Sequence, residues 1–251
     1  QLIAGVMMLA GLFFVWLKIG RRWRAWRALW RPQTSWMTRE LYAAGVFLIS
    51  VLVTTQISQP VVGLYHLAGF AAACFLLCQA RILHSAKGIP AWRTPRVPWL
   101  IVVSGLFEGV GLMLLLVSTN VVSNDGTFYL DPSKLAGVMV TLALLNMILW
   151  LGYRYGADRA VRPPLANRIV DNMSWPLLIV GHLAPVLLAL AAWFHAADTS
   201  ALLATAGFLV IAGGTFWKCG LILKASYQNG FTLSRLPQRG SGTRAAPSLV
   251  A

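Results

Sequence analysis

The chain has 251 residues, 58% of them apolar and 11% charged, with a mean hydropathy of +0.68 and a formal charge of +14. So little polar surface cannot cover a soluble globule of this length, which excludes a soluble enzyme and points to an integral membrane protein. Nor does the positive charge point to nucleic acid, because it is dispersed over alternate loops, where membrane topology and anionic lipid account for it.

Seven apolar runs, roughly 1–17, 40–55, 60–80, 97–119, 136–153, 175–193 and 200–222, are long enough to matter against the ~20 residues a spanning helix needs. They are continuous rather than alternating and far longer than the ~10 residues of a barrel strand. The predicted fold is therefore all-α: a polytopic transmembrane bundle over 1–234 with a Pro/Gly/Ser-rich tail at 235–251. The first run opens at Gln1 with no flank, so an eighth helix upstream is expected in the parent protein. No small-residue cleavage site follows that run, which reads as a span and not as a secretory signal.

Between the first two runs lies KIGRRWRAWRALWRPQTSWMTRE, residues 18–40, with seven basic residues and four tryptophans. Its arginines cannot enter hydrocarbon, while Trp23, Trp26, Trp30 and Trp36 prefer the headgroup layer, so it should lie on the bilayer surface. It delivers Glu40 to the mouth of the second span. Seven Lys/Arg in this loop, four in 81–96 and four in 154–174 contrast with the loops at 54–60, 120–135 and 194–200, which carry Lys134 alone. By the positive-inside rule the basic loops and the C-terminus, with Lys224, Arg235, Arg239 and Arg244, are cytoplasmic.

Within the spans, Glu108 falls near mid-membrane, where a charge is costly and usually faces a partner or a water path. Lys218 in the last span is a candidate partner at comparable depth if that helix continues through Tyr227. The pair reads either as a proton route or internal polar site, or as an ion pair that fixes helix packing. Gly105 and Gly109 flank Glu108 with the spacing of a close helix contact. His66 and His182 could each reach a bundle interior, whereas His84 and His195 read as loop residues. Two interior imidazoles are too few for a diheme subunit; a single haem stands as a minor alternative, no haem is expected, and a hydrogen bond to a neighbouring helix is the commoner fate. Cys74, Cys78 and Cys219 have no zinc or cluster spacing and read as small apolar packers. There is no P-loop, dinucleotide glycine motif or internal repeat, and no metal is expected.

The run LKIGRRWRAWRALWRPQTSWMTRELYAAGVF resembles the DMSO reductase anchor subunit family, DmsC-like and more distantly NrfD-like. There a Gly, an Arg-Ala-Trp/Phe and a Thr/Ser-Ser-x-x-x-x-Glu leave one helix and open the next. QARILHSAKGIPAW is similar to the family's next loop, with an Arg at the helix end and a Pro-x-Trp. The C-terminal KASYQNGFTLSRLP resembles the ending of a branch that includes the membrane subunits of cytoplasmic sulfite dehydrogenases and phenylacetyl-CoA:acceptor oxidoreductases.

The resemblance implies a haem-free anchor in a bacterial inner membrane. It would hold a ferredoxin-like iron–sulfur subunit and a molybdopterin catalytic subunit, and pass electrons to or from menaquinone or ubiquinone. It implies quinol binding at the carboxylate that falls on Glu40 and at the loop position that falls on Lys18. This chain departs at Lys18, where the family's pattern has a histidine, and a lysine of pKa ~10.4 is a poorer proton relay than an imidazole of ~6.5. His84, beside Arg81, could supply that imidazole. A two-electron, two-proton quinone reaction needs an apolar slot, a hydrogen-bond partner for each carbonyl and a carboxylate that trades protons. Glu40 is the candidate for proton exchange. Lys18, Arg24, Arg81 and His84 are candidates for carbonyl contacts, and Trp26 and Trp36 for the walls. Alternatively, Glu40 only caps its helix or pairs with Arg39 or Arg81. Fifteen cations on one side could dock an acidic face of the iron–sulfur partner or could reflect topology alone. A small secondary transporter and a purely structural anchor are the rival readings.

Overall fold

The computed structural model describes residues 2–57, 59, 61–121, 131–194 and 199–226. All regular structure among them is helical. Seven helices form the bundle: α1 (Leu2–Lys18), α2 (Trp36–Gln56), α3 (Val62–Ser85), α4 (Arg96–Ser118), α5 (Pro132–Tyr155), α6 (Pro164–Phe194) and α7 (Thr199–Lys224). The last six are long and apolar enough to cross a membrane. α1 joins a surface 3-10 helix, Arg22–Trp30, at a bend of 112°, and counted as one span this pair raises the number to seven. The chain is a multi-pass membrane protein. The tail at 235–251, the Tyr227 continuation, His195 and most of the weakly charged loops fall outside the described residues.

Local chemistry explains the helix ends. Ser35 caps α2 by accepting from the Thr38 N–H at 3.3 Å, and Asp131 caps α5 from the Ser133 N–H at 2.9 Å, with Pro132 at the first helical position. α4 ends at Ser118, and two residues on, Asn120 has a left-handed φ of 54°. The Asn120 N–H reaches the Val117 carbonyl and the Val121 N–H that of Leu116, which satisfies the last turn. Two segments, Leu177–Leu183 within α6 and Gly220–Lys224 at the end of α7, wind as π-helix. In α6 this segment lies between Pro176 and Pro185, neither of which can donate a backbone hydrogen bond.

α4 is central, packed against α3, α5 and α7, with α6 against α7 and α2 against α3. At the end carrying the basic loops, Val97, Leu100, Trp150, Tyr153, Trp217 and Leu221 form one buried cluster. Towards the other end, Phe107, Leu114, Met139, Ala206 and Val210 form a second. α4 and α7 approach at glycines: a Cβ on Gly207 would run into the Gly111 carbonyl, and one on Gly111 would stand 2.9 Å from Val210. The close helix contact expected at Gly105 and Gly109 is made by Gly105 alone, and against α3. A Cβ on Gly105 would meet the Leu76 side chain, one on Gly109 would meet nothing within 4 Å among the described residues, and the glycine of α4 that faces α7 is Gly111. α1 is loosely held, with Gly5 against Val51 and Met8 beside the Phe47, Val51, Ala68 and Ala71 cluster.

The loops at the basic end are tied to helix ends. Trp92 Nε1 donates to the Leu221 carbonyl at 3.1 Å, Tyr153 Oη to the Ala91 carbonyl at 2.9 Å, and Arg96 pairs with Asp158 at 2.8 Å. These links close the rim against which a candidate site forms.

Candidate functional site

The basic segment is shaped by the first turns of α2. The Thr38 hydroxyl donates to the Ala28 carbonyl, Tyr42 to Leu29 at 2.7 Å, and Arg39 to Pro32 and Gln33 at 2.7 Å each. These bonds hold the 3-10 helix beside the bundle, with Trp23, Trp26 and Trp30 exposed.

Trp36 and Glu40, one turn apart, share a face of α2. From α3, the Arg81 guanidinium stacks 5.1 Å from the Trp36 ring, while Arg39 stacks on the same ring at 4.3 Å. Both arginines that could have neutralised Glu40 are engaged with the indole, and Glu40 makes no ion pair among the described residues. Its half-buried carboxylate instead faces Gln79 and Cys78 of α3. The cap-or-pair role is therefore not what this geometry displays, since Ser35 already caps α2.

α3 runs on to Ser85, so His84 belongs to its last turn, a correction to the reading of His84 as a loop residue. Arg81 and His84, spaced three apart, share a face there. Together with Leu77, Pro98, Trp99 and Val102 they line a crevice of about 370 Å³ between the end of α3 and the start of α4. This is room for one small aromatic headgroup. Its wall is apolar, and its polar groups are a guanidinium and an imidazole, both able to donate to carbonyl oxygens. Glu40 is not part of that lining. Arg81 connects the two regions, touching the crevice and the indole above Glu40.

The other sequence candidates stand elsewhere. Lys18, the last residue of α1, and Arg24 line a separate groove of about 540 Å³ at the bend after α1. Trp26 is exposed, with Trp30 at 6.0 Å and the Arg27 guanidinium 5.7 Å from its ring. Sequence reasoning missed Gln79 and Trp99. Trp99, following Arg96 and Pro98 at the start of α4, was a visible interfacial signal.

Deeper in the bundle, Glu108 and Lys218 form the expected pair, Oε1 to Nζ at 2.7 Å. Ser104 donates to the same carboxylate oxygen at 2.7 Å and accepts from Trp217 Nε1 at 3.1 Å. The Glu108 carboxylate occupies the space where Gly214 lacks a Cβ. His66 is exposed on α3, not interior, while His182 is buried against Phe107 at 5.6 Å. His182 Nδ1 bonds the Leu177 carbonyl of its own helix at 3.0 Å, not a neighbouring helix, because the π-turn brings that carbonyl within reach. Among the described residues no group of three or more His, Cys, Asp or Glu is arranged to hold a metal ion. No protein-family model matches the chain, and no curated protein is significantly similar to it.

Proposed function

We propose that this chain is the membrane anchor and quinone-reactive subunit of a molybdopterin and iron–sulfur oxidoreductase in a bacterial inner membrane. It would exchange electrons between a ferredoxin-like iron–sulfur subunit and the menaquinone or ubiquinone pool. The observation that carries the reading is the crevice between α3 and α4. An apolar slot presents Arg81 and His84 as two donors for a ring with two carbonyls. A half-buried carboxylate without an ion pair among the described residues, Glu40, lies at the same end of the bundle.

In this arrangement Arg81 and His84 hold the quinone carbonyls and Trp99 packs on the ring. Glu40 takes up or releases the proton, with the Gln79 side chain beside its carboxylate. Trp36 fixes the Arg81 guanidinium. Lys18, Arg24 and Trp26 stand apart from the crevice and are not assigned to it. By the positive-inside rule the basic rim and the C-terminus are cytoplasmic. The catalytic partners would then dock there, favouring the sulfite dehydrogenase or phenylacetyl-CoA oxidoreductase branch over the periplasm-facing enzymes.

The test is binding of a quinol analogue, a hydroxyquinoline oxide, read by fluorescence quenching in the purified complex with Glu40 and with Glu40→Gln. Co-purification of iron–sulfur and molybdenum subunits with loss of quenching in the assembled variant supports the reading. A chain that purifies alone and quenches nothing supports a transporter or a structural anchor instead.

A further inference from the structure

We propose that the bend between α1 and the surface helix is a binding site for the phosphodiester headgroup of an anionic phospholipid. This site is separate from the crevice and independent of the quinone reading. The chain turns through 112° between Leu2–Lys18 and Arg22–Trp30, leaving a groove of about 540 Å³. Leu17 and Ile19 give it apolar surface, and Lys18, Arg21, Arg22 and Arg24 give it charge.

Of these four cations, only Arg22 is engaged, donating to the Leu17 carbonyl at 3.4 Å and lying 5.7 Å from the Trp16 ring. The side chains of Lys18, Arg21 and Arg24 make no hydrogen bond or ion pair among the described residues. No carboxylate among the described residues lines this groove: Glu40 is the one acidic residue in the first 107 positions, and its side chain faces α3. Three cations whose side chains have no partner among the described residues make this groove a concentrated positive site for an anionic group.

Placement selects lipid over a soluble anion. The groove sits at the foot of an apolar helix whose Phe13, Phe14 and Trp16 side chains are exposed, so acyl chains would run along α1 while the phosphate meets the cations. Trp23, 92% exposed, and Trp30 lie on the surface helix at the level indoles favour. Each basic residue near an anionic surface favours it about fivefold. Three acting together give a preference far above that of a neutral headgroup.

The experiment is native mass spectrometry of the full chain, titrated with phosphatidylglycerol or with phosphatidylcholine. It compares the unaltered chain, Arg21→Gln/Arg24→Gln, and Arg93→Gln/Arg168→Gln, a pair of exposed cations elsewhere on the basic end. Circular dichroism confirms that each variant is folded. The unaltered chain is expected to retain phosphatidylglycerol at least tenfold over phosphatidylcholine. Arg21→Gln/Arg24→Gln should lower that ratio by about fivefold or more, the Arg93→Gln/Arg168→Gln chain should keep it, and millimolar inorganic phosphate should not displace the lipid. Equal retention of both lipids, an equal loss in both variants, or displacement by phosphate would overturn the proposal. Quinol-analogue quenching is read on the same samples: lost quenching with intact lipid preference faults the crevice reading alone, and the converse faults this one alone.

Discussion

Lys218 Nζ stands 2.7 Å from Glu108 Oε1, joining α7 to α4 inside the membrane, and the same oxygen accepts from Ser104. With side-chain exposures of 25% and 20%, neither charge is well solvated. Removing one partner strands the other, so Lys218→Met should lower stability by about 2 kcal/mol, whereas removing both should recover much of that loss. Thermal unfolding of the detergent-purified chain with Lys218→Met, Glu108→Gln and the double variant measures the coupling. Strictly additive losses would show that the pair does not bind the helices together.

The same carboxylate makes Gly214 sensitive. A methyl group there would enter the space of the Glu108 carboxylate, whereas one at Gly109 meets nothing within 4 Å. Gly214→Ala should cost about 1–3 kcal/mol through overpacking. Gly109→Ala should be neutral or slightly stabilising, since glycine lowers helix propensity. Melting temperatures of the two variants check the contrast.

Arg81 serves two neighbours, the Trp36 ring and the crevice. Arg81→Gln should weaken quinol-analogue binding at least tenfold in the assembled complex, which is about 1.4 kcal/mol. Lys18→Gln, changed in the groove at the foot of α1, should weaken it less. If the order is reversed, the quinone slot lies beside α1 and the family-like position outranks the crevice.

Two side chains of α2 hold the 3-10 helix. Thr38, fully buried, and Tyr42 each donate one bond to it, each worth about 1 kcal/mol. Thr38→Ala/Tyr42→Phe should speed tryptic cleavage between Arg21 and Arg31 several-fold while leaving the apolar helices intact. Peptide mapping of a time course gives the answer, and unchanged cleavage would mean that lipid contact alone holds the segment.

The spans were legible because hydrocarbon demands continuous apolar runs, and Glu108 with Lys218 because a charge there must find a partner. Helix ends were not. α3 continues through Arg81 and His84, and α6 begins at Pro164 instead of near 175, because a helix emerging from hydrocarbon into the headgroups no longer needs apolar residues. The Arg81–His84 crevice depends on that hidden last turn of α3. The Gly105–Gly109 spacing marked one close contact, Gly105 against α3, but spacing alone does not name the partner helix, and the approach of α4 to α7 rests on Gly111, Gly207 and Gly214. The gathering of Arg39 and Arg81 on Trp36 also lay beyond the sequence, which shows three residue types but not their stacking.

α6 is 31 residues long, about 46 Å at 1.5 Å per residue, against a hydrocarbon core of ~30 Å. Its first turns, with Asn167, Arg168 and Asp171, therefore stand clear of the lipid tails. Asp171 is held there by Arg154 at 3.1 Å and Arg159 at 3.0 Å. A tethered knot of three charges resists being drawn into oil, so it works as a depth stop that keeps the basic rim at the headgroup level.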